Sequence, residues 1–206
     1  MAVTTQSFLN MMLRSYGPYY DIHLTEGEEN PLGEEKLPER LPRKEDFPLA
    51  ARCDFHVRND TSVLLRRNVL YSTQNFEYRY LFRVEHLTLS DYRRFEKAVL
   101  DDGMARITPG NGHMSTNLIL SIVCVSADEE AVKAARHCRL HREFRLGLDG
   151  WMDFHTNLVV LDSGRICTNM GGHGDKKHLK QIWKVLNRKS AQQISRQHAA
   201  TDSVCE

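Results

Sequence analysis

The feature that most constrains the fold is the apolar run "NLILSIVCVSA", from Asn117 to Ala127. The run has the length of a strand and falls well short of the roughly 20 apolar residues that a membrane helix needs. A strand that is apolar on both faces is covered on both faces, and such strands lie inside a sheet rather than at its edge. The sequence therefore predicts a central strand here.

The segment "FEYRYLFRVEH" alternates between apolar and polar residues and predicts a second strand. The two-residue period of a strand separates its side chains into two faces. One face carries Phe76, Tyr78, Tyr80, Phe82 and Val84, and the other carries Glu77, Arg79, Leu81, Arg83 and Glu85. We interpret the aromatic face as core rather than as a ligand platform, because strand aromatics mostly pack on the pleated surface.

Other elements follow from periodicity and turn residues. Residues 4–16, "TLSDYRRFEKAVLDDG" and "DEEAVKAARHCRLH" show helical spacing, and in the second helix Thr88 or Ser90 is the expected cap and Gly103 the expected end. "LAARCDFHV" and "SVLLRRNVLYS" predict two strands joined by a turn at "RND". "EFRLGLDG" and "WMDFHTNLVVLD" predict an alternating pair, and "DSGR" predicts a hairpin turn into "RICTN".

This order of elements predicts an α+β fold with a single mixed, largely antiparallel sheet and flanking helices. The length of 206 residues suits one domain with appended segments. Residues 26–48 contain four of the six prolines and are acidic, which is typical of a connector that packs little or folds over the surface. The predicted parts are an N-terminal helix and extension (1–25), this connector (26–48), the core domain (49–174) and a basic helix with a frayed tail (175–206).

The cysteines indicate the compartment. There are five, and no two have the CxxC spacing, so reduced thiols in a cytosol are the simplest interpretation. The first 20 residues lack the features of a signal peptide, and a net charge of +1 gives no general attraction to nucleic acid or membrane. We therefore expect a soluble, cytoplasmic protein without a membrane partner.

The triplet "DFH" occurs twice, at Asp54 to His56 and at Asp153 to His155. On two adjacent strands these four side chains would converge, and Asp and His suit divalent metals. Polar alternation on two half-exposed strands explains each pair equally well, and a chain of this length repeats some tripeptide by chance. We therefore expect neither a metal site nor a cofactor.

Two segments near the C-terminus could contact phosphate. The glycine loop in "TNMGGHGDKKH" precedes a helix but lacks the spacing of a Walker loop, so a flexible exit from the hairpin is favoured. The following basic helix, from Asp175 to about Arg188, could bind nucleic acid or an acidic partner, pair with the acidic connector, or simply be solvated. Its candidate contact residues are Lys176, Lys177, Lys180 and Lys184.

The order of elements over about residues 5–126 resembles the restriction-endonuclease-like core. In that family a carboxylate on one strand and a Glu-x-Lys pair on the next hold magnesium and activate water. The resemblance implies catalytic candidates at Asp54 and Glu85, with His56 as a third. Leu87 stands where the lysine should be, so this copy departs from the family pattern.

A second resemblance covers about residues 8–172. The segments "CDFHVRND", "FEYRYLFRVEHL", "HMST", "EFRLGLDGWMDFHTNLVVLD" and "ICTNMGG" together resemble a family of bacterial proteins of unknown function. This resemblance implies no activity and no site residues. The hypothesis that the sequence favours is a non-catalytic binding or interaction domain, and the alternative is a metal-dependent hydrolase of nuclease type. Whether the protein is an enzyme stays open.

Overall fold

The computed structural model describes residues 3–33, 36–45, 47–63, 66–110 and 112–202, with the backbone alone for 59–63, 66–72 and 193–202. The helices are α1 (Thr5–Tyr16), α2 (Leu89–Arg106), α3 (Glu129–His137) and α4 (Asp175–Asp202), with a short 3-10 helix at Gly171–Gly174. The strands are β1 (Asp21–Thr25), β2 (Glu39–Leu41), β3 (Leu49–Val63), β4 (Arg66–Leu87), β5 (His113–Ala127), β6 (His141–Glu143), β7 (Trp151–Val160) and β8 (Arg165–Thr168).

The strands form one sheet in the order β2-β1-β3-β4-β5-β7-β6, and β8 pairs with β7. Four pairs are antiparallel, namely β1–β3, β3–β4, β6–β7 and β7–β8. Three are parallel, namely β1–β2, β4–β5 and β5–β7. The predicted single mixed sheet with flanking helices is confirmed. Its parallel centre reflects the crossovers through α2 and α3, since parallel neighbours cannot be joined by a tight turn.

Helices cover both faces of this sheet. We call the two sides the α2/α3 face and the α1/α4 face, after the helices that pack on them. The core of the first includes Tyr80, Phe82, Phe95, Leu118, Ile122 and Phe154. The core of the second includes Phe8, Met12, Leu81, Val123, Val159 and Leu179. Strand β5 lies between β4 and β7 and is buried from both sides, which confirms the prediction made from its apolar run.

The aromatic face of β4 is core, as predicted. Tyr80 and Phe82 are buried, and Tyr78 and Val84 pack against them on the α2/α3 face. The opposite face of β4 is not a solvated one. Arg79 and Leu81 are buried there because α1 and α4 cover that side of the sheet.

The predicted turn at "RND" is wrong. Asn59 pairs with Thr73 and Asp60 pairs with Ser72, so the two strands predicted on either side of "RND" become parts of one long hairpin formed by β3 and β4. The pairing extends to Val63 and Arg66, and residues 64–65 lie outside the described part of the chain. Strand β4 meets β5 only from Gln74 onward, so this arm of the hairpin has no further strand beside it in the described ranges.

The first helix begins where predicted, with Thr4 capping α1 through a hydrogen bond to its Oγ1 from the Ser7 amide, and Thr88 caps α2. Gly103, by contrast, does not end α2. A Cβ at this position would lie 2.5 Å from the Leu118 side chain, so the glycine lets the helix approach β5, and the helix continues to Arg106. Helix α4 continues to Asp202, past the predicted frayed end at Ser190.

The acidic connector folds over the α2/α3 face. Its strand β2 pairs with β1, and Phe47 packs edge-on against Phe82 at 5.1 Å between ring centroids. Glu28 is buried and lies 3.2 Å from Arg43 and 3.1 Å from Arg83. In the described ranges, no helix is long and apolar enough to cross a membrane.

Candidate ligand-binding groove

A groove of about 260 Å³ opens on the α2/α3 face, between helix α2, strand β3 and the end of the connector. Its apolar walls are Leu41, Pro42, Phe47, Leu49, Ala98 and Val99. Its polar lining consists of Thr25, Lys44, Arg52, Tyr80, Asp102 and Arg106. A concave, mainly apolar site with a few polar groups is the usual form of a small-molecule site.

Phe47 holds the connector over the groove. Its ring lies 5.1 Å from Phe82 and 6.1 Å from Phe95, edge-on to both. Edge-to-face aromatic pairs add about 0.5–1.5 kcal/mol to the burial of the rings. The end of the connector, which covers the groove at Phe47, is therefore fixed by the same core that holds α2 on the sheet.

The Asp102 carboxylate, which lines the groove, accepts hydrogen bonds from three donor groups. Asp102 accepts hydrogen bonds from Tyr80 Oη at 2.5 Å and from Arg106 Nε at 2.8 Å and Nη2 at 3.2 Å. Burial alone would raise the pKa of Asp102, but the hydrogen bonds from Arg106 and Tyr80 hold it below its ordinary value. Burial also raises the pKa of Tyr80, so its hydroxyl remains a donor. Asp102 is thus a fixed anion at neutral pH.

Arg52 lines the groove, and Asp54 holds its side chain in place. Its Nε donates to both carboxylate oxygens of Asp54, at 2.8 and 3.2 Å. His23 Nε2 lies 3.2 Å from the same carboxylate. Only 12% of the Arg52 side chain is exposed. Asp54 therefore orients a guanidinium that is one of the walls of the groove.

Thr25 carries the strongest indication of a ligand. The residue is 2% exposed and lines the groove, and its Oγ1 has no hydrogen-bond partner within the described structure. Buried polar atoms nearly always have a partner, and an unpaired one costs about 1–3 kcal/mol. Because Thr25 lines the groove, a polar ligand atom that reaches Oγ1 would give this hydroxyl a partner. Sequence reasoning missed β1 and Thr25, and the alternation in "DIHLT" is the only signal that could have found them.

The two "DFH" segments lie on opposite faces of the sheet. Asp54 pairs with Tyr78, which belongs to the α2/α3 face, whereas Asp153 pairs with Asn117 and through it with Glu77, on the α1/α4 face. Strands β4 and β5 also separate β3 from β7. The four side chains therefore do not converge. Across the residues that the structure describes, no group of three His, Cys, Asp or Glu side chains is arranged to hold a metal ion.

The residues implied by the nuclease-like resemblance are also apart. Glu85 is exposed and lies seven residues along β4 from Tyr78, the partner of Asp54. At about 3.3 Å per residue this is roughly 23 Å. His56 is exposed and stacks on Phe76, with ring centroids 4.4 Å apart. Asp54 and Glu85 cannot hold one ion at this separation.

On the α1/α4 face, Arg79 is the centre of a buried charge network that the sequence did not predict. It donates to Asp175 at 2.8 and 3.1 Å and to Glu77 at 2.5 Å. Asn157 Nδ2 donates to Asp175 at 2.7 Å. Burial would raise the pKa of Asp175, but Arg79 and Asn157 lower it below its ordinary value. The network ties the start of α4 to the sheet. Burial lowers the pKa of the neighbouring His155, so this histidine is neutral at pH 7.

The glycine loop contacts the sheet at Gly171 and Gly172, and its predicted flexibility stays a prediction. A Cβ on Gly171 would lie 2.3 Å from the His155 ring, and the Gly172 amide donates to Asn169 Oδ1 at 2.8 Å. The Asp175 carboxylate lies in the first turn of α4 and is bound to Arg79. The Asp175 carboxylate therefore already places a negative charge at the N-terminus of α4, which disfavours phosphate binding there.

The lysines proposed for phosphate contact lie along the outer surface of α4. Lys177, Lys180 and Lys184 are exposed and Lys176 is half-exposed, around a shallow depression that His173 also lines. The connector acids Glu28 and Glu39 contact Arg43, Arg83 and His23 instead. Contact of these lysines with nucleic acid or an acidic partner stays a prediction.

The cysteines that the structure describes, Cys53, Cys124, Cys138 and Cys167, are all unpaired and buried. Burial raises the pKa of the Cys53 and Cys124 thiols, the latter to about 12. These two thiols stay protonated at neutral pH, which makes them poor nucleophiles. Reduction of the cysteines in the cell, and with it the cytosolic location, stays a prediction.

The fold and the groove together define an α+β domain in which one mixed sheet is covered by helices on both faces, with a roofed cleft on one of them. The chain belongs to the family described as a domain of unknown function, DUF8052, whose model matches residues 4–181. This confirms the resemblance to a family of unknown function that the sequence motifs indicated. No curated protein and no solved structure gives a significant match.

Proposed function

We propose that the protein is a non-catalytic binding domain that holds a small molecule in the groove on its α2/α3 face. The observation that carries this proposal is that Thr25 lines an apolar cleft while its buried Oγ1 has no partner among the described residues. A hydroxyl that loses its water without gaining a partner destabilises the free protein. Such a feature is expected where a ligand supplies the missing partner.

The size of the groove sets the size of the ligand. A volume of about 260 Å³ lies below the roughly 300–1,000 Å³ of pockets that hold drug-sized ligands, so the groove suits a smaller molecule. The walls formed by Phe47, Leu49 and Val99 would bury the apolar part of such a molecule. Burial of apolar surface contributes about 25 cal/mol per Å².

The chemistry of the groove supports binding over catalysis. Asp102 is bound to three donor groups and its pKa lies below the ordinary value, so it is a poor proton acceptor or donor at neutral pH. The hydrolase alternative relies on Asp54 and Glu85, which lie far apart, and on a carboxylate that is already bound to Arg52. We therefore do not extend the proposal to an enzyme.

An aromatic side chain introduced into the groove by substitution is expected to exclude the ligand. Ala98 lies on α2 at the groove wall, and Ala98→Phe would occupy the volume that the ligand needs. The measurement is mass spectrometry of small molecules released by denaturing protein purified from its own host. We expect one compound to be enriched in the parent and reduced at least tenfold in Ala98→Phe.

The matched control is Val185→Phe, which adds a ring to an exposed position of α4, on the other face of the sheet. This variant should retain the compound at the level of the parent. Equal recovery from all three proteins, or no recovery from the parent, would count against a ligand in the groove.

A further inference from the structure

We infer that the ligand of the groove is a small anion with an apolar body, whose anionic group is bound by Arg52, Lys44 and the Thr25 hydroxyl. This inference rests on the proposed function, and it adds the chemical class of the ligand. It comes from the charges around the groove, from the positions of Thr25 and Arg52 on adjacent strands, and from the way in which each polar group is already engaged.

The charges in the groove are unequal. Three basic side chains, Lys44, Arg52 and Arg106, line it together with a single carboxylate, Asp102. Asp102 is satisfied by Tyr80 and Arg106, so it offers little to an incoming cation. Arg106 is neutralised by the same pairing. Arg52 is also paired, with Asp54, but through Nε alone, so its remaining donors and Lys44 are the basic groups left for a ligand.

Arg52 keeps donors for a ligand. A guanidinium has five N–H donors, and the contacts of Arg52 with Asp54 use only Nε. The planar donor set of arginine fits a carboxylate or phosphate in bidentate geometry. Because Asp54 fixes one edge of the guanidinium, the other edge is preorganised. The largely buried position of Arg52 also strengthens its attraction for an anion relative to a solvated arginine.

Thr25 and Arg52 lie on adjacent strands and on the same face of the sheet, and both line the groove. Strands β1 and β3 are paired, and Arg52 of β3 is the Cα partner of His23 in β1. Thr25 follows His23 by two residues in β1. Side chains two residues apart on a strand share a face, so Thr25 and Arg52 are diagonal neighbours, roughly 7–8 Å apart at their Cα atoms. A hydroxyl both donates and accepts, so Oγ1 of Thr25 can donate to an anion oxygen.

The test uses three probes with the same six-carbon chain, namely hexanoate, 1-hexanol and hexylamine at pH 7. All three are small enough for a groove of about 260 Å³, and they differ in the charge of the head group. Binding is followed by two-dimensional NMR of the ¹⁵N-labelled protein. We expect hexanoate to shift amides of β1, β3 and α2 and to bind at least tenfold more tightly than 1-hexanol. Hexylamine should bind most weakly.

Variants that remove one positive charge test which residues cause the preference for hexanoate over 1-hexanol. Lys44→Met and Arg52→Met should each weaken hexanoate binding at least threefold and leave 1-hexanol binding unchanged. Lys180→Met, an exposed lysine of α4, is the control that should change neither. Lys44 is exposed, so its variant carries the test if loss of the Arg52–Asp54 pair prevents folding.

Two results would overturn the inference. If 1-hexanol or hexylamine shifts the groove amides at the same concentration as hexanoate, the groove binds a ligand but does not select an anion, and the proposed function stands. If none of the three probes shifts these amides, an anion with an apolar body of this size is not the ligand. The extraction of the natural compound then decides separately whether the groove binds any small molecule.

Discussion

Replacement of Arg79 by Met is expected to lower the free energy of unfolding by about 3–5 kcal/mol, because it leaves two largely buried carboxylates without their cation. Arg79 is 7% exposed and binds both Asp175 and Glu77. The loss is a large fraction of a typical total stability of about 5–15 kcal/mol. Urea denaturation followed by circular dichroism measures it.

The control for this variant is Arg93→Met. Arg93 also pairs with a carboxylate, that of Glu96 at 2.7 Å, but 59% of its side chain is exposed. An exposed ion pair contributes about 0–1 kcal/mol, so the control should stay within that range of the parent. Equal losses in the two variants would show that the Arg79 network is not a buried one.

The Arg79 effect should also depend on pH. The folded-state pKa of Asp175 is lowered, so the stability from its pairing is fully present above the ordinary carboxyl pKa of about 4 and is lost as the pH falls through the folded value. The Arg79→Met variant lacks that contribution. The difference in unfolding free energy between parent and variant should therefore narrow below about pH 4. A difference that is constant from pH 7 to pH 3 would contradict this.

The second large effect is expected at Gly150. Its φ is +86°, and a Cβ there would lie 2.4–2.7 Å from the His113 ring and the backbone oxygens of His113 and Met114. The left-handed backbone costs an alanine about 1–2 kcal/mol, and overpacking against fixed atoms costs about 1–3 kcal/mol more. We expect Gly150→Ala to lose about 3 kcal/mol, which is roughly 6–12 °C in Tm for a chain of this size.

Gly147→Ala separates the two causes, because it is three residues away in the same turn. Gly147 has a φ of +82°, but a Cβ added to it would meet no atom of the described structure within 4 Å beyond its chain neighbours. This variant should therefore show the backbone strain alone. Thermal unfolding of both variants side by side is the measurement. Equal shifts in Tm would mean that β5 moves aside from Gly150 without loss of stability.

Local patterns predicted the elements that depend on local chemistry. The apolar run of β5, the aromatic face of β4 and the Thr88 cap each follow from residues near one another in the chain. The joining of β3 and β4 into one hairpin was missed because "RND" has turn chemistry, and only the pairing partner across the hairpin keeps it extended. Turn propensity is a weak local preference that tertiary pairing overrides.

Which face a side chain occupies could not be predicted, because it depends on strand order and register. A shift of one residue moves every side chain of a strand to the other face. The two "DFH" segments are identical, yet β3 and β7 direct them to opposite sides of the sheet. Arg79 was expected on a polar face for the same reason, since nothing near it in the sequence indicates that α1 and α4 cover it.

The groove could not be predicted from the sequence either. Its walls come from β1, the connector, β3, β4 and α2, which are brought together only by the folded sheet. Thr25 is an ordinary polar residue in the sequence, and only its burial without a partner among the described residues gives it significance. Fold class was therefore predictable from patterning, whereas the site required the register of five separate segments.

The most direct measurement for the groove is the unfolding free energy of Thr25→Val, with and without the natural ligand. Valine keeps the shape of threonine and removes the hydroxyl. In protein refolded free of ligand, we expect this variant to be about 1 kcal/mol more stable than the parent. In protein as purified, we expect the bound compound to raise the unfolding free energy of the variant by less than that of the parent.

Thr156→Val is the comparison, because Thr156 Oγ1 donates to the Ala135 carbonyl at 2.6 Å and loss of this hydrogen bond should destabilise by about 1 kcal/mol. If ligand-free Thr25→Val loses stability as Thr156→Val does, the Thr25 hydroxyl already has a partner in the free protein, and the groove loses its main indication of a ligand.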